Sequence, residues 1–271
     1  MSAAIQPPRR AHAAGIAILR RHGTGGRLPL VLLHGIGSNA TSWEPLLGAL
    51  PPQHHAIAWD APGYGDSAPV PTKAPTPDSY AEALDHLLAA LGLDRILLAG
   101  HSLGCLFAAR FAARNPDRVA ALALMSPALG YGAAPDALPP GVQARIDDVT
   151  SLGPQEFAAR RAPRLVHDAP NRPAVLEGVR RAMAAVNPSG YAQAVRALGA
   201  GDLLADAPRL AMPVLVATGL EDVVTPPDNA RRLFAALANP IRLAELPGAG
   251  HAMPQEFPRE VAALLGETIL A

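Results

Sequence analysis

Short apolar runs alternate with longer stretches of helical periodicity along most of the chain. LVLL at 30–33, AIAW at 56–59, ILLA at 96–99, the run 119–125, VLVA at 214–217 and the run 241–246 are each about strand length. Most are bounded by Gly, Pro or Asp, as buried strands usually are. Between them, 42–50, 77–91, 103–115 and 227–237 read as helices, and 11–21 reads as an antiparallel edge hairpin strand. Strands alternating with helices predict an α/β architecture with a mostly parallel sheet covered by helices. The alternation stops between Leu129 and Pro208, where Pro135, Pro139, Pro140, Pro154, Pro163, Pro170 and Pro173 punctuate short helical pieces and Pro188-Ser189-Gly190 adds a break. It resumes at Met212-Pro213-Val214. A helical insertion between two parallel strands reads as a lid over the carboxyl end of the sheet. The plainer alternative, crossover helices with long loops, has to absorb about 80 residues, far beyond ordinary connections.

Composition narrows the function classes. A chain of 271 residues is one large domain, or a core domain with an insertion. Hydrophobic residues at 49% and charged residues at 17% supply a sizeable core and exclude general disorder. The 23 basic and 23 acidic residues cancel, so nothing draws the chain to nucleic acid or an anionic membrane. No apolar run approaches the ~18 residues of a spanning helix. Residues 1–10 lack the apolar centre of a signal peptide, and a cytoplasmic location is expected. Cys105 is the single cysteine, which rules out an internal disulfide and argues against a cysteine-based metal site. Aromatics at 4% argue against a base- or sugar-stacking platform. The expected partner is a small-molecule substrate.

Chemistry concentrates after the strands. Gly100-His101-Ser102-Leu103-Gly104 lies between a strand and a helix, the context that gives G-x-S-x-G its meaning. A serine in that sharp turn takes a strained backbone, and side chains in place of Gly100 or Gly104 would collide with neighbouring backbone. The bland alternative is a glycine-flanked helix N-cap. A serine hydroxyl needs a base. His251, in the loop PGAGH after the last strand, is the best-placed histidine. His12, His22, His54 and His55 read as solvated, His86 lies mid-helix and His167 in the insertion, and His101 should point away from its neighbour Ser102. The base needs an acid, and Asp222 follows the strand 214–217 directly; Glu221 is its rival, and Asp228 reads as a helix-start charge. The order Ser102, Asp222, His251 is one of the known orders for this constellation. Developing oxyanion charge calls for two backbone donors, expected at Leu103 and, in His34-Gly35-Ile36-Gly37, at Ile36. His34 itself reads as a pin for that loop.

HGIG at 34–37, DAPGYGDS at 60–67, GHSLG at 100–104, GLED…TPP at 219–227 and GAGH at 248–251 together resemble the α/β-hydrolase family across nearly the whole chain. The resemblance implies an eight-stranded, mostly parallel sheet with a helical cap between strands six and seven. The core would be 1–128 and 209–271 and the cap 129–208. It also implies cofactor-free, metal-free catalysis by Ser102, Asp222 and His251. Asn187-Pro188-Ser189-Gly190-Tyr191, Gly201-Asp202-Leu203 and the TPP stretch are similar to 3-oxoadipate enol-lactonases, although Ala61 and Cys105 stand where that group usually has Arg and Gly. DAPGYGDS is similar to meta-cleavage C–C bond hydrolases, although His101 and Ala252 stand where those carry Asn and Trp. The expected activity is therefore hydrolysis of a carboxylic ester or lactone through an acyl-enzyme, with C–C hydrolysis of a 1,5-diketone as the alternative. A third class, a binding protein that keeps the fold without catalysis, is disfavoured by the presence of all three side chains. Leu129, Val223 and Met253 are expected to line the substrate pocket. Arg160, Arg161 and Arg164 read as a solvated helix face, with a substrate-carboxylate role as the rival. Cys105 reads as a small buried residue beneath the turn.

Overall fold

The computed structural model describes residues 7–134 and 137–270; residues 1–6, Pro135, Asp136 and Ala271 lie outside that description, and with them the start of the 1–10 segment and the first proline of the insertion. Eight strands, β1 (Arg9–Ala13), β2 (Ile16–Arg21), β3 (Leu30–Leu33), β4 (Ala56–Trp59), β5 (Ile96–His101), β6 (Val119–Met125), β7 (Val214–Gly219) and β8 (Pro240–Leu246), form one sheet. Their order is β1-β2-β4-β3-β5-β6-β7-β8. The β1–β2 hairpin joins antiparallel to β4, and every pairing from β4 to β8 is parallel. Every apolar run identified in the sequence is a strand.

The described residues form ten α-helices: α1 (Glu44–Ala49), α2 (Pro77–Ala90), α3 (Leu103–Arg114), α4 (Pro140–Arg161), α5 (Pro173–Ala184), α6 (Pro188–Ala200), α7 (Leu203–Asp206), α8 (Pro227–Ala236), α9 (Met253–Glu256) and α10 (Pro258–Thr268). Six of them, α2, α4, α5, α6, α8 and α10, begin on a proline. Its fixed φ suits a first turn, where its missing N–H is no loss. The prolines between 139 and 188 thus start helices as well as end them. Inside α4, Gly153 at φ +74° breaks the helix, and Pro154 opens its second half. The helices α4 to α7 all lie between β6 and β7. Gln193 on α6 ties them down by donating to the carbonyls of Val70 and Thr72. The amphipathic stretch of α10, with Val261, Ala262, Leu264 and Leu265 buried, extends the fold past the last element read from the sequence.

Strand alternation gives the sheet two cores. Val31, Leu33, Leu98, Leu122 and Leu124 face α2 and α3, where Tyr80 and Phe107 stack at 4.1 Å. Leu30, Leu32, Leu97, Ala99 and Leu215 face α1 and α10. Each fully buried leucine contributes about 1.5–3 kcal/mol. A one-residue slip in any central strand would exchange the two faces, so the register is firmly specified. The chain reverses direction across the sheet at β3, with β4 on one side and β5 on the other. In open α/β sheets the crevice at the carboxyl ends beside such a reversal is where ligands bind. The loop His34–Gly37 and the turn at Ser102 both emerge there. Among the described residues, no helix is long and apolar enough to cross a membrane.

Candidate active site

Ser102 occupies the junction of β5 and α3 with φ 53° and ψ −116°, well outside the regions favoured by L-residues. Its N–H donates to the Met125 carbonyl, and its carbonyl accepts from the N–H groups of Cys105 and Ala128. Those bonds hold a conformation that costs roughly 1–3 kcal/mol. A Cβ on Gly104 would run into the carbonyl of Leu33, and one on Gly100 into the carbonyl of Gly104. The tight packing of α3 against β3 thus requires glycine. Beneath the turn, Cys105 is buried with its thiol donating to the Gly100 carbonyl, and burial pushes that thiol up. The hydroxyl of Ser102 makes no hydrogen bond with another described residue. Catalytic contacts are often loose in ligand-free proteins.

Asp222 follows β7, and its carboxylate is fully used. Oδ1 accepts from the N–H groups of Val224 (2.8 Å) and Thr225 (2.9 Å). Oδ2 lies 2.8 Å from Nδ1 of His251 and 2.9 Å from the Thr225 hydroxyl. Burial alone would raise this carboxyl, but the His251 charge, its hydrogen bond and the two backbone donors outweigh that and hold it at about 2. An ionised carboxylate makes Nδ1 the donor, which leaves Nε2 of His251 as the acceptor. Glu221 is exposed, and Asp228 sits exposed in the first turn of α8. Thr225, unrecognised in the sequence, also lies 3.2 Å from Nδ1 of His251 and 2.9 Å from the Ser126 carbonyl, so it braces carboxylate, imidazole and the end of β6 together.

The loop carrying His251 is held from two sides. Nε2 of His101 donates to the His251 carbonyl at 2.7 Å, and the two rings lie 4.9 Å apart. His101 therefore does turn from its neighbour Ser102, but toward the other end of the site. On the far side, Glu256 accepts from Gly250 N–H and His167 N–H at 3.1 Å and from Arg172 at 2.5 Å, while Ala252 N–H donates to the Leu165 carbonyl. The sequence carries no sign of this clamp beyond one acid in an apolar stretch. His34 is buried, donating from Nδ1 to the Gly35 carbonyl and accepting the Ala61 N–H on Nε2, as a pin for the HGIG loop. His54, read as solvated, is instead 2% exposed, and its backbone carbonyl accepts from the buried Arg21 guanidinium.

Burial, and secondarily the charge of His251, lower His101 to about 3. The unfolded chain takes up this proton near 6.5 and the folded one does not, so acidification through that window favours unfolding. Stability should be fully present above pH 6.5 and fall as pH drops from 6.5 toward 3. The decline should be shallower in His101→Asn, which keeps a donor but cannot titrate; urea midpoints at pH 7, 6 and 5 measure it. Equal slopes in both proteins would show that His101 is not held neutral.

A cavity of about 250 Å³ opens over Ser102. Ile36, Leu103, Leu129, Leu198, Val224 and Thr225 are among the residues that line it, and Arg145, Asn229 and Arg232 add polar lining. Among the described residues neither the Ile36 N–H nor the Leu103 N–H is taken up by an acceptor. Leu129 lies in this wall. Val223 does not: it is 62% exposed and borders a smaller cavity of about 90 Å³ with Arg145, Arg161, Arg164 and Val224. Met253 is a clear correction. It is 0% exposed, because the chain turns into α9 directly after His251 and packs this side chain against the core shared with α1 and α10. Arg160 pairs outward with Glu156, as a solvated residue, whereas Arg161 and Arg164 face the smaller cavity.

The alpha/beta hydrolase fold family matches residues 29–258, and the chain belongs to that family. It is 30% identical over 205 residues to the (E)-2-((N-methylformamido)methylene)succinate hydrolase of Acinetobacter baylyi, covering 72% of each chain. A 117-residue stretch is 38% identical to a 2-hydroxy-6-oxononadienedioate/2-hydroxy-6-oxononatrienedioate hydrolase of Pseudomonas putida, 41% of this chain and 40% of that one. Several of the curated relatives are thus matched over well under two thirds of their length. Among solved structures, an enol-lactonase from Burkholderia xenovorans superposes with a TM-score of 0.83 at 26% identity, over 96% of this chain and 98% of that one. A thermophilic esterase from Thermogutta terrifontis gives 0.82 at 27%, over 96% and 97%.

Proposed function

We propose that the protein is a serine hydrolase of carboxylic esters or lactones that works through a covalent acyl-enzyme. The observation that carries this reading is the imidazole of His251, fixed on a buried carboxylate with Nε2 free to accept, in a site whose wall Thr225 shares with a strained serine. The Ser102 oxygen attacks the substrate carbonyl while its proton passes to Nε2 of His251. Asp222 stabilises the resulting imidazolium. The unpaired N–H groups of Ile36 and Leu103 receive the oxyanion; such donors are worth about 2.7–4 kcal/mol each. The protonated imidazole then returns its proton to the leaving alkoxide. A water deprotonated by the same nitrogen attacks the acyl carbon and releases the acid and the serine. Residues 129–208 act as a cap on a core of 1–128 and 209–271, and their walls set substrate choice.

C–C bond hydrolysis is the second reading, favoured by the similarity to the Pseudomonas putida hydrolase named for an oxononadienedioate. A fluorophosphonate probe followed by peptide mapping tests the shared chemistry: the label should sit on Ser102 alone, and a protein left unlabelled would overturn both readings. A panel of short p-nitrophenyl esters, lactones and a coloured 1,5-diketone then separates them. Esters and lactones should be turned over faster; a strong preference for the diketone would reverse the order.

A further inference from the structure

Arginines from different elements line the cavity over Ser102, and no acidic side chain lines it with them. Arg145 comes from α4, in the insertion, and Arg232 from α8, in the sheet-bound part of the chain. No acidic side chain lines this cavity or the smaller one beside it, which Arg145 shares with Arg161 and Arg164. Among the described residues, Arg145, Arg164 and Arg232 form no ion pair, and Arg161 reaches only Asp148 at 3.8 Å. The charges of Arg161 and Arg145 act on the buried Tyr191 hydroxyl beside them and oppose the rise that burial gives it. Burial lowers Arg161, and the charges of Arg145 and Arg164 lower it further against the opposing effect of Asp148, so these guanidiniums stand close enough to feel one another. A solvated helix face ordinarily intersperses acids with its bases, as Arg160–Glu156 and Arg180–Glu177 do elsewhere in the insertion. Uncompensated cations beside a nucleophile raise the local concentration of anions, and the guanidinium fork matches a carboxylate in geometry.

We propose that Arg145 and Arg232 form a carboxylate subsite, so that the preferred substrate is an ester or lactone bearing a free carboxylate on its acyl portion. The substrate assignment rests on the serine-hydrolase reading above; the subsite itself does not. Arg145, at the junction of the two cavities, takes the carboxylate end, and Arg161 and Arg164 extend the positive field toward the surface where the anion enters. The scissile carbonyl is thereby drawn toward Ser102 in one orientation.

Two measurements test this and keep the claims apart. The first compares kcat/KM for p-nitrophenyl hemiglutarate, which carries a carboxylate, with that for neutral p-nitrophenyl butyrate. The wild type should favour the anionic ester at least tenfold. Arg145→Ala and Arg232→Ala should each cut that ratio about tenfold or more, chiefly through KM, with Arg145→Lys recovering part of it. A ratio near one in the wild type, or one unmoved in both alanine variants, would overturn the subsite. The second measurement is the thermal shift of Ser102→Ala protein with glutarate, inorganic phosphate or glutaramide. Glutarate alone should raise Tm, and Arg145→Ala should remove the rise. An equal rise with phosphate or glutaramide would overturn the carboxylate assignment. An arginine-dependent rise in a wild type that cleaves neither ester would sink the hydrolytic reading and leave the subsite standing.

Discussion

Ser102→Ala should lower kcat for p-nitrophenyl butyrate by roughly 10⁴- to 10⁶-fold while leaving the fold unchanged, the range seen when a serine nucleophile is removed from such a constellation. Residual turnover would come from the Ile36 and Leu103 donors, which do not need the hydroxyl. The structure adds a second expectation that a merely structural serine would not meet. Its backbone sits at φ 53° and ψ −116°, and alanine inherits that strain whereas glycine does not. Ser102→Gly should therefore be as inactive as Ser102→Ala yet more stable than the wild type, by about 1 kcal/mol or more. Urea denaturation of the three proteins beside the ester assay reads both quantities. Retained activity in Ser102→Ala would remove the mechanism; a Ser102→Gly protein no more stable than wild type would mean that the turn stores no strain.

Sequence and structure part company where contacts are made across chain segments. The sheet was legible because strands buried on both faces appear as unbroken apolar runs, and the serine turn because its glycines are demanded by local backbone collisions. Asp222 could be preferred to Glu221 only by its place after β7; the reason it is the buried one lies in the loop, where Val224 and Thr225 fold their N–H groups back onto Oδ1. Pocket walls were not legible in this way. Met253 stands two residues from His251, but adjacency does not specify which side of the chain a residue faces, and the start of α9 turns it into the core. Val223 and Val224 differ in the same sense, the second walling the Ser102 cavity while the first is exposed. The clamp of Glu256, Arg172 and His167 joins residues 84 and 89 positions apart, and no local pattern announces it. It links the insertion to the His251 loop, so substitutions at Arg172 act on the position of the imidazole as well as on the insertion.

The bonding of Asp222 makes its amide variant more informative than its deletion. Oδ1 faces two backbone N–H donors, so in Asp222→Asn the side-chain carbonyl must stay there, since an NH₂ would oppose both. The amide nitrogen is then forced into the place of Oδ2, 2.8 Å from Nδ1 of His251. It can only donate, so Nδ1 becomes the acceptor and the ring proton moves to Nε2, the nitrogen that receives the serine proton in the proposed mechanism. Turnover should fall about 10⁴-fold with the fold preserved, as expected for an imidazole locked in the wrong tautomer. Asp222→Ala imposes no tautomer and should be no less active than Asp222→Asn, an inversion of the usual ranking in which the closer mimic does better. The carboxylate, held at about 2, also contributes stability that is present above its ordinary value near ~3.9 and lost as pH falls toward 2, and Asp222→Asn should lack that loss. Steady-state kinetics of the two variants decides the matter: an asparagine protein clearly more active than the alanine one would mean that Asp222 serves the loop and not the proton.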